Sequence, residues 1–269
     1  MGRIAETMGI RNSSLTRVVP VFDRLLATDP VGGAWLPGLL KLGSRATEVP
    51  LDTITPRLVP GHVATWGKGE LALPAPLGLL EFLVQTVTPA QVTASGDKGD
   101  VLAHRQQLAR RNPKTVAEAL RRLRSGSRGR HWHVLEGKSK PDATLEMLNA
   151  VLVVEGKRTE RSCTSKTKWM GERSQLIRHM DGACEHYPGK RVLGLLLVEG
   201  DGGPTASRPT HYWLSESAAQ YESRMLASSL PHRTQEERVV LASGILGVAT
   251  WQAVCAENRL PWPPVEDSA

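Results

Sequence analysis

Three residues combine types and spacings suited to hydrolytic chemistry: Asp142, Glu155 and Lys157. Glu155 and Lys157 stand two apart at the end of the apolar run Ala150-Val151-Leu152-Val153-Val154. On a strand, residues two apart leave the same face. Asp142 lies as far before the pair Leu148-Asn149 as Glu155 lies after it, so a hairpin turning there sets the two acids directly opposite each other. Cross-strand partners have Cβ atoms roughly 4.5–5.5 Å apart, where like charges repel. A hard divalent cation between the carboxylates offsets that repulsion, and oxygen ligands with a few retained waters suit Mg²⁺. Lys157, beside the pair, would orient or help deprotonate a cation-bound water. The competing reading makes Glu155 and Lys157 simple edge-strand charges.

The elements that must position these residues follow from the surrounding pattern. Asn112-Pro113 supplies an N-cap and a proline at the first helical position, opening a helix over TVAEALRRLRS. HWHVLEG (131–137) reads as a strand, residues 142–147 alternate polar and apolar as a half-buried strand does, and 150–154 is apolar on both faces. A polar loop to about residue 168 precedes a helix over 169–183, and 190–198 is another buried strand. Upstream, helices are expected near 15–26 and over 77–84. From residue 215 on the pattern is mostly helical, with one long helix over 234–258 ended by Pro261. The order from residue 113 is therefore helix, three strands, helix, strand, helices. The division expected is an N-terminal α+β extension (1–110), a core (111–203) and a C-terminal helical segment packing on it (204–269).

This set of residues resembles the PD-(D/E)XK nuclease superfamily, the restriction-endonuclease-like nucleases. Pro141-Asp142 matches the PD element and Glu155-Gly156-Lys157 the (D/E)XK element, and the order of elements is similar to that superfamily's αβββαβ core on a central mixed sheet. The resemblance covers about residues 113–199. It implies an α/β fold with Asp142 and Glu155 as metal ligands, the Gly156 carbonyl as a further ligand and Lys157 positioning the attacking water. The cofactor would be Mg²⁺, with Mn²⁺ as a substitute. A second triplet, Glu136-Gly137-Lys138, lacks the upstream Pro-Asp and the long apolar lead-in. On the helix after the site, Gln175 and His179 stand where RecB-type and lambda-exonuclease-like members carry QxxxY, with His for Tyr; Gln175 would orient Lys157 or a phosphate. Many members place an acid on the helix before the first strand, a role that falls to Glu118, with Glu81 as the fallback.

Charge points the same way. The chain of 269 residues carries a net +7, yet residues 104–140 hold eleven Lys/Arg against two acids, a local +9, leaving −2 for the rest. Such a block suggests a polyanion partner, most simply DNA, bound in a salt-dependent way. Its candidate phosphate contacts are Arg121, Arg122, Arg128, Arg130 and Lys140, joined by Arg158, Arg173 and Arg178. The alternative is a solvated arginine-rich face. With 40% hydrophobic and 23% charged residues the composition is that of an ordinary globular protein. No apolar stretch approaches the ~18–20 residues of a membrane span. No signal-peptide pattern opens the chain, and three cysteines without CxxC spacing exclude a disulfide framework, so a cytoplasmic protein is expected. A homodimer is compatible with this reading. The role suggested is restriction or defence, or DNA repair. Rival readings are a nucleic-acid-binding module that keeps the nuclease fold without its chemistry, and a structural subunit whose C-terminal helices dock a partner.

Overall fold

The computed structural model describes residues 13–67, 69–127, 129, 131–158, 162–203 and 206–264. The fold is mixed α/β: a five-stranded mixed sheet with eleven α-helices among the described residues. After a π-helical turn (Ser14–Val18) come α1 (Val19–Thr28), α2 (Leu36–Leu42) and β1 (Leu58–Thr65). A helical lobe follows, made of α3 (Leu77–Thr86), α4 (Pro89–Ala94), α5 (Gly99–Ala109) and α6 (Pro113–Arg124). The chain then returns to the sheet as β2 (Ala143–Met147) and β3 (Ala150–Lys157). A small hairpin, β4 (Thr164–Lys166) and β5 (Glu172–Ser174), leads into α7 (Gln175–His186) and β6 (Arg191–Val198). Helices α8 (His211–Gln220), α9 (Ser223–Ser229) and α10 (Gln235–Ala242) precede β7 (Ile245–Thr250) and α11 (Trp251–Glu257).

The strands lie in the order β1-β2-β3-β6-β7. β1, β2 and β3 are successively antiparallel, while β3, β6 and β7 are parallel. β3 is buried along its whole length, and its alternate residues serve two cores. Ala150, Leu152 and Val154 pack with Phe22, Leu39 and Val254 of α1, α2 and α11. Val151 and Val153 pack with Leu176, Ile177 and Met180 of α7 and with Leu226 and Leu241 from α9 and α10. The result is a helix–sheet–helix sandwich, which is why β3 carries no polar residue until Glu155, near its carboxyl end. A third core, around Leu79, Leu83, Leu108 and Leu123, holds the helical lobe together. Its neck is closed by reciprocal backbone bonds between Leu73 and Ser139 (2.8 and 2.9 Å).

Several sequence expectations are met closely: helices over 77–84 and from Pro113, and the strands expected over 142–147, 150–154 and 190–198, which are found at 143–147, 150–157 and 191–198. Others are corrected. Residues 131–137 form no strand, because the place beside β2 is taken by β1, some eighty residues upstream. Leu135 is instead drawn into the helical-lobe core, and His133 is buried with Nε2 2.9 Å from the Ser127 carbonyl. The helix expected over 169–183 begins only at Gln175, where the Ser174 hydroxyl accepts the Ile177 N–H. The long helix expected over 234–258 is split. Gly244 ends α10, and Gly247, at φ 87°, sits inside β7. The sheet thus draws on all three segments of the expected division, β1 coming from the first and β7 from the last. Among the described residues no helix is long and apolar enough to cross a membrane.

Candidate active site

The carboxyl ends of the parallel strands β3 and β6, and the start of antiparallel β2, lie at one edge of the sheet. Such strand ends are where α/β sheets place ligands, because the helices that follow leave a crevice there. The β2–β3 register pairs Ala143 with Val154, so one step further sets Asp142 opposite Glu155, as the hairpin symmetry predicts. Beyond this last rung the ladder stops, and side chains take over the backbone groups of Gly156. Its N–H donates to Asp142 Oδ2 at 2.8 Å, and its carbonyl accepts the Ser13 hydroxyl at 3.1 Å. Asp142 Oδ1 accepts the Ser14 hydroxyl at 2.5 Å. A side chain at position 156 would bring a Cβ within 2.9 Å of Val18 and 3.0 Å of Trp251, so packing alone requires glycine between Glu155 and Lys157.

Glu155 and Lys157 leave β3 toward α7, and both are buried. Lys157 Nζ lies 2.9 Å from Glu155 Oε1 and donates to Gln175 Oε1 at 2.7 Å. His179, one turn along α7 from Gln175, places Nε2 3.2 Å from Glu155 Oε2. The two acids are electrostatically unlike. Burial alone would raise Glu155, but the His179 hydrogen bond and the Lys157 charge hold it at about 2. Asp142 is pushed up to about 6, chiefly by burial and then by the Glu155 charge, because its direct partners are a hydroxyl and an amide. A half-buried carboxylate with no directly bonded cation among the described residues, next to a second one, is what a hard cation would complete. The oxygen donors therefore fit Mg²⁺: Asp142, Glu155 and the Gly156 carbonyl, the last sharing its lone pairs with Ser13. Among the described residues no group of three His, Cys, Asp or Glu side chains gathers to hold a metal, so any cation would rest on two carboxylates and backbone or water oxygens.

The other residues singled out by sequence are placed as follows. Glu118 is not brought to the acids; it pairs with Arg121 and Arg122 on α6, and Glu81 pairs with Arg124. The α-helices ahead of the first strand are α1 and α2 rather than α6, and what the π-helical turn leading into α1 brings to Asp142 is the Ser14 hydroxyl. Arg173 is only 1% exposed and bonded to Asp181 and the Ser229 carbonyl, so it faces no nucleic acid. Arg158 pairs with Glu199, Lys140 with Glu70 and Arg178 with Glu136. Arg128 and Arg130 lie outside the described residues.

Sequence reasoning missed Ser13 and Ser14, and also Glu199, which follows β6 beside Lys157 and accepts Arg17 through both oxygens (2.9 and 3.0 Å). An acid ending a buried parallel strand was a usable signal for Glu199; the serines had none. No protein-family model, curated protein or solved structure matches this chain.

Proposed function

We propose that this chain is a divalent-cation-dependent nuclease of the PD-(D/E)XK type, hydrolysing phosphodiester bonds of DNA. The observation that carries the reading is the pair of half-buried Asp142 and buried Glu155, delivered by adjacent strands to one sheet edge, with the Lys157 ammonium against Glu155. The sheet order β1-β2-β3-β6, with β1 to β3 antiparallel and α7 on the crossover from β3 to parallel β6, also favours it.

Asp142, Glu155 and the Gly156 carbonyl would hold Mg²⁺, or Mn²⁺ in its place, and the bound ion would supply Lewis-acid polarisation and a lowered water pKa. The chain's own groups do the rest. Lys157, held between Glu155 and Gln175, would position an attacking water or a phosphate oxygen. Gln175 fixes the rotamer of Lys157, and His179 fixes that of Glu155. Ser14 and the Gly156 N–H aim the Asp142 carboxylate.

The test is incubation of supercoiled, linear and single-stranded DNA with Mg²⁺ or EDTA, alongside Lys157→Ala. Cleavage that needs the cation and drops by about 10²–10⁴-fold in the variant is expected, the range usual for removing a proton-handling group. A Lys157→Ala protein cutting at the wild-type rate sinks the assignment.

One observation favours a second reading, a non-catalytic nucleic-acid-binding module: the Ser13 and Ser14 hydroxyls already engage Gly156 O and Asp142. Binding without scission across several divalent cations would select it.

A further inference from the structure

A separate groove of about 820 Å³ runs between the helical lobe and the β4–β5 segment, lined by none of Asp142, Glu155 and Lys157. Its apolar lining comes from Leu80, Val101, Val134 and Leu135, of which Val101 is exposed. Trp169 closes it, with the Arg105 guanidinium 4.8 Å and the Lys168 ammonium 5.4 Å from its ring centre. The rest is cationic. Arg105, Lys138, Lys166, Lys168 and Arg178 line the groove against two acids, Asp97 and Glu136. Those acids are spoken for: Asp97 by Arg105 and Lys168, Glu136 by Arg178. Lys138 and Lys166 are exposed and have no ion-pair partner among the described residues.

A concavity with an uncompensated positive rim and an apolar wall selects an anion that also presents flat apolar surface. Duplex DNA fits poorly, because its bases are stacked inside and its phosphates lie on a convex surface. An unpaired strand offers both features at once, phosphates for the lysines and an unstacked base for the apolar wall. The groove also adjoins the candidate active site along the chain. Lys138 precedes Asp142 by four residues, at most about 14 Å of extended backbone. Arg178 directly precedes His179 on α7.

We infer that this groove binds an unpaired segment of nucleic acid, with Lys138 and Lys166 on its phosphates and a base against the apolar lining at Val101 and Val134, and feeds that strand toward Asp142 and Glu155. The inference rests on the nuclease reading for its direction, but the binding itself can be measured without cleavage.

The experiment uses the full chain carrying Lys157→Ala, in EDTA, with a fluorescein-labelled oligothymidylate of about 15 nucleotides and a duplex of equal length, read by anisotropy at several salt concentrations. The single strand should bind the tighter by about tenfold or more. Adding Lys138→Ala and Lys166→Ala should weaken it about tenfold and lower the slope of log K against log salt by about 1.4, the value expected when two phosphates of a single strand are no longer neutralised. Unchanged affinity and slope in that variant, or duplex bound as tightly as single strand, overturns the groove. If the wild type cleaves DNA while the groove variant binds normally, the groove falls and the nuclease reading stands. If the groove variant behaves as expected but no DNA is cut with any divalent cation, the groove stands and the nuclease reading falls.

Discussion

Asp142 Oδ2 accepts the backbone N–H of Gly156 at 2.8 Å, which ties one acid to the residue directly after the other. The two carboxylates therefore cannot separate without breaking the end of β3. A cation binding both should stabilise the fold itself, by about 2.7 kcal/mol at a hundredfold excess over its Kd. That amounts to about 5–10 °C in melting temperature for a chain of this size. Asp142→Asn keeps the shape, removes the charge and should abolish the Mg²⁺-dependent shift. Thermal denaturation with and without Mg²⁺ decides this; equal shifts in both proteins would place the cation elsewhere.

Arg173 offers a different contrast, because sequence placed it among the phosphate contacts and the structure buries it. It lies between Asp181, which has no exposed surface, and Glu136 at 3.7 Å. Removing one member of a buried ionic cluster leaves the others uncompensated, at a cost of about 3–5 kcal/mol. Arg173→Ala should lose that much stability in urea titrations while its folded fraction binds DNA as the wild type does. Weakened binding with normal stability would return Arg173 to the surface.

Asp97 sets a pH dependence. Burial acts to raise it, but hydrogen bonds from Lys168, Ser95 and Arg105 hold it at about 2, below its ordinary 3.8. A carboxylate depressed in the folded state contributes stability that is full above its unfolded pKa and is lost as pH falls toward its folded one. The stability gap between wild type and Asp97→Asn should accordingly be constant above about pH 5 and close between about pH 4 and pH 2. Denaturation of both proteins across that range tests it, and a gap that persists at pH 2 would mean the aspartate works through packing alone.

What could be read in advance tracks how local each signal is. β3 and β6 are apolar runs buried on both faces, β2 alternates polar and apolar, and the position of Asp142 relative to Glu155 follows from a hairpin symmetry contained in fourteen residues. β1 escaped notice because it is an edge strand with exposed centre, interrupted by Pro60 and by Gly61 at φ 77°. β7 was hidden in a continuous apolar run, where periodicity does not separate strand from helix and only Gly244 and Gly247 marked the break. The arginine block overstated the positive surface because its partners lie outside it in sequence: Asp97 takes Arg105, Glu81 takes Arg124 and Glu70 takes Lys140. Ser14 reaches Asp142 across 128 positions, a contact no local pattern announces.

His179 bears on how the candidate site is held together. Its Nε2 lies 3.2 Å from Glu155 Oε2, while Nδ1 is buried without a hydrogen-bond partner among the described residues. That geometry makes His179 a donor through Nε2, and with Lys157 on Oε1 it fixes the Glu155 carboxylate. Losing a group that orients a metal-binding carboxylate typically weakens the metal by about 10–100-fold. His179→Leu should therefore raise the Mg²⁺ concentration for half-maximal cleavage by that factor, with the rate largely recovered at saturating Mg²⁺. His179→Gln, which can still donate to Glu155, should show a smaller shift. Titrating Mg²⁺ at fixed DNA separates the cases. A lower rate in His179→Leu that no amount of Mg²⁺ restores would mean that the imidazole acts on the substrate and not through Glu155.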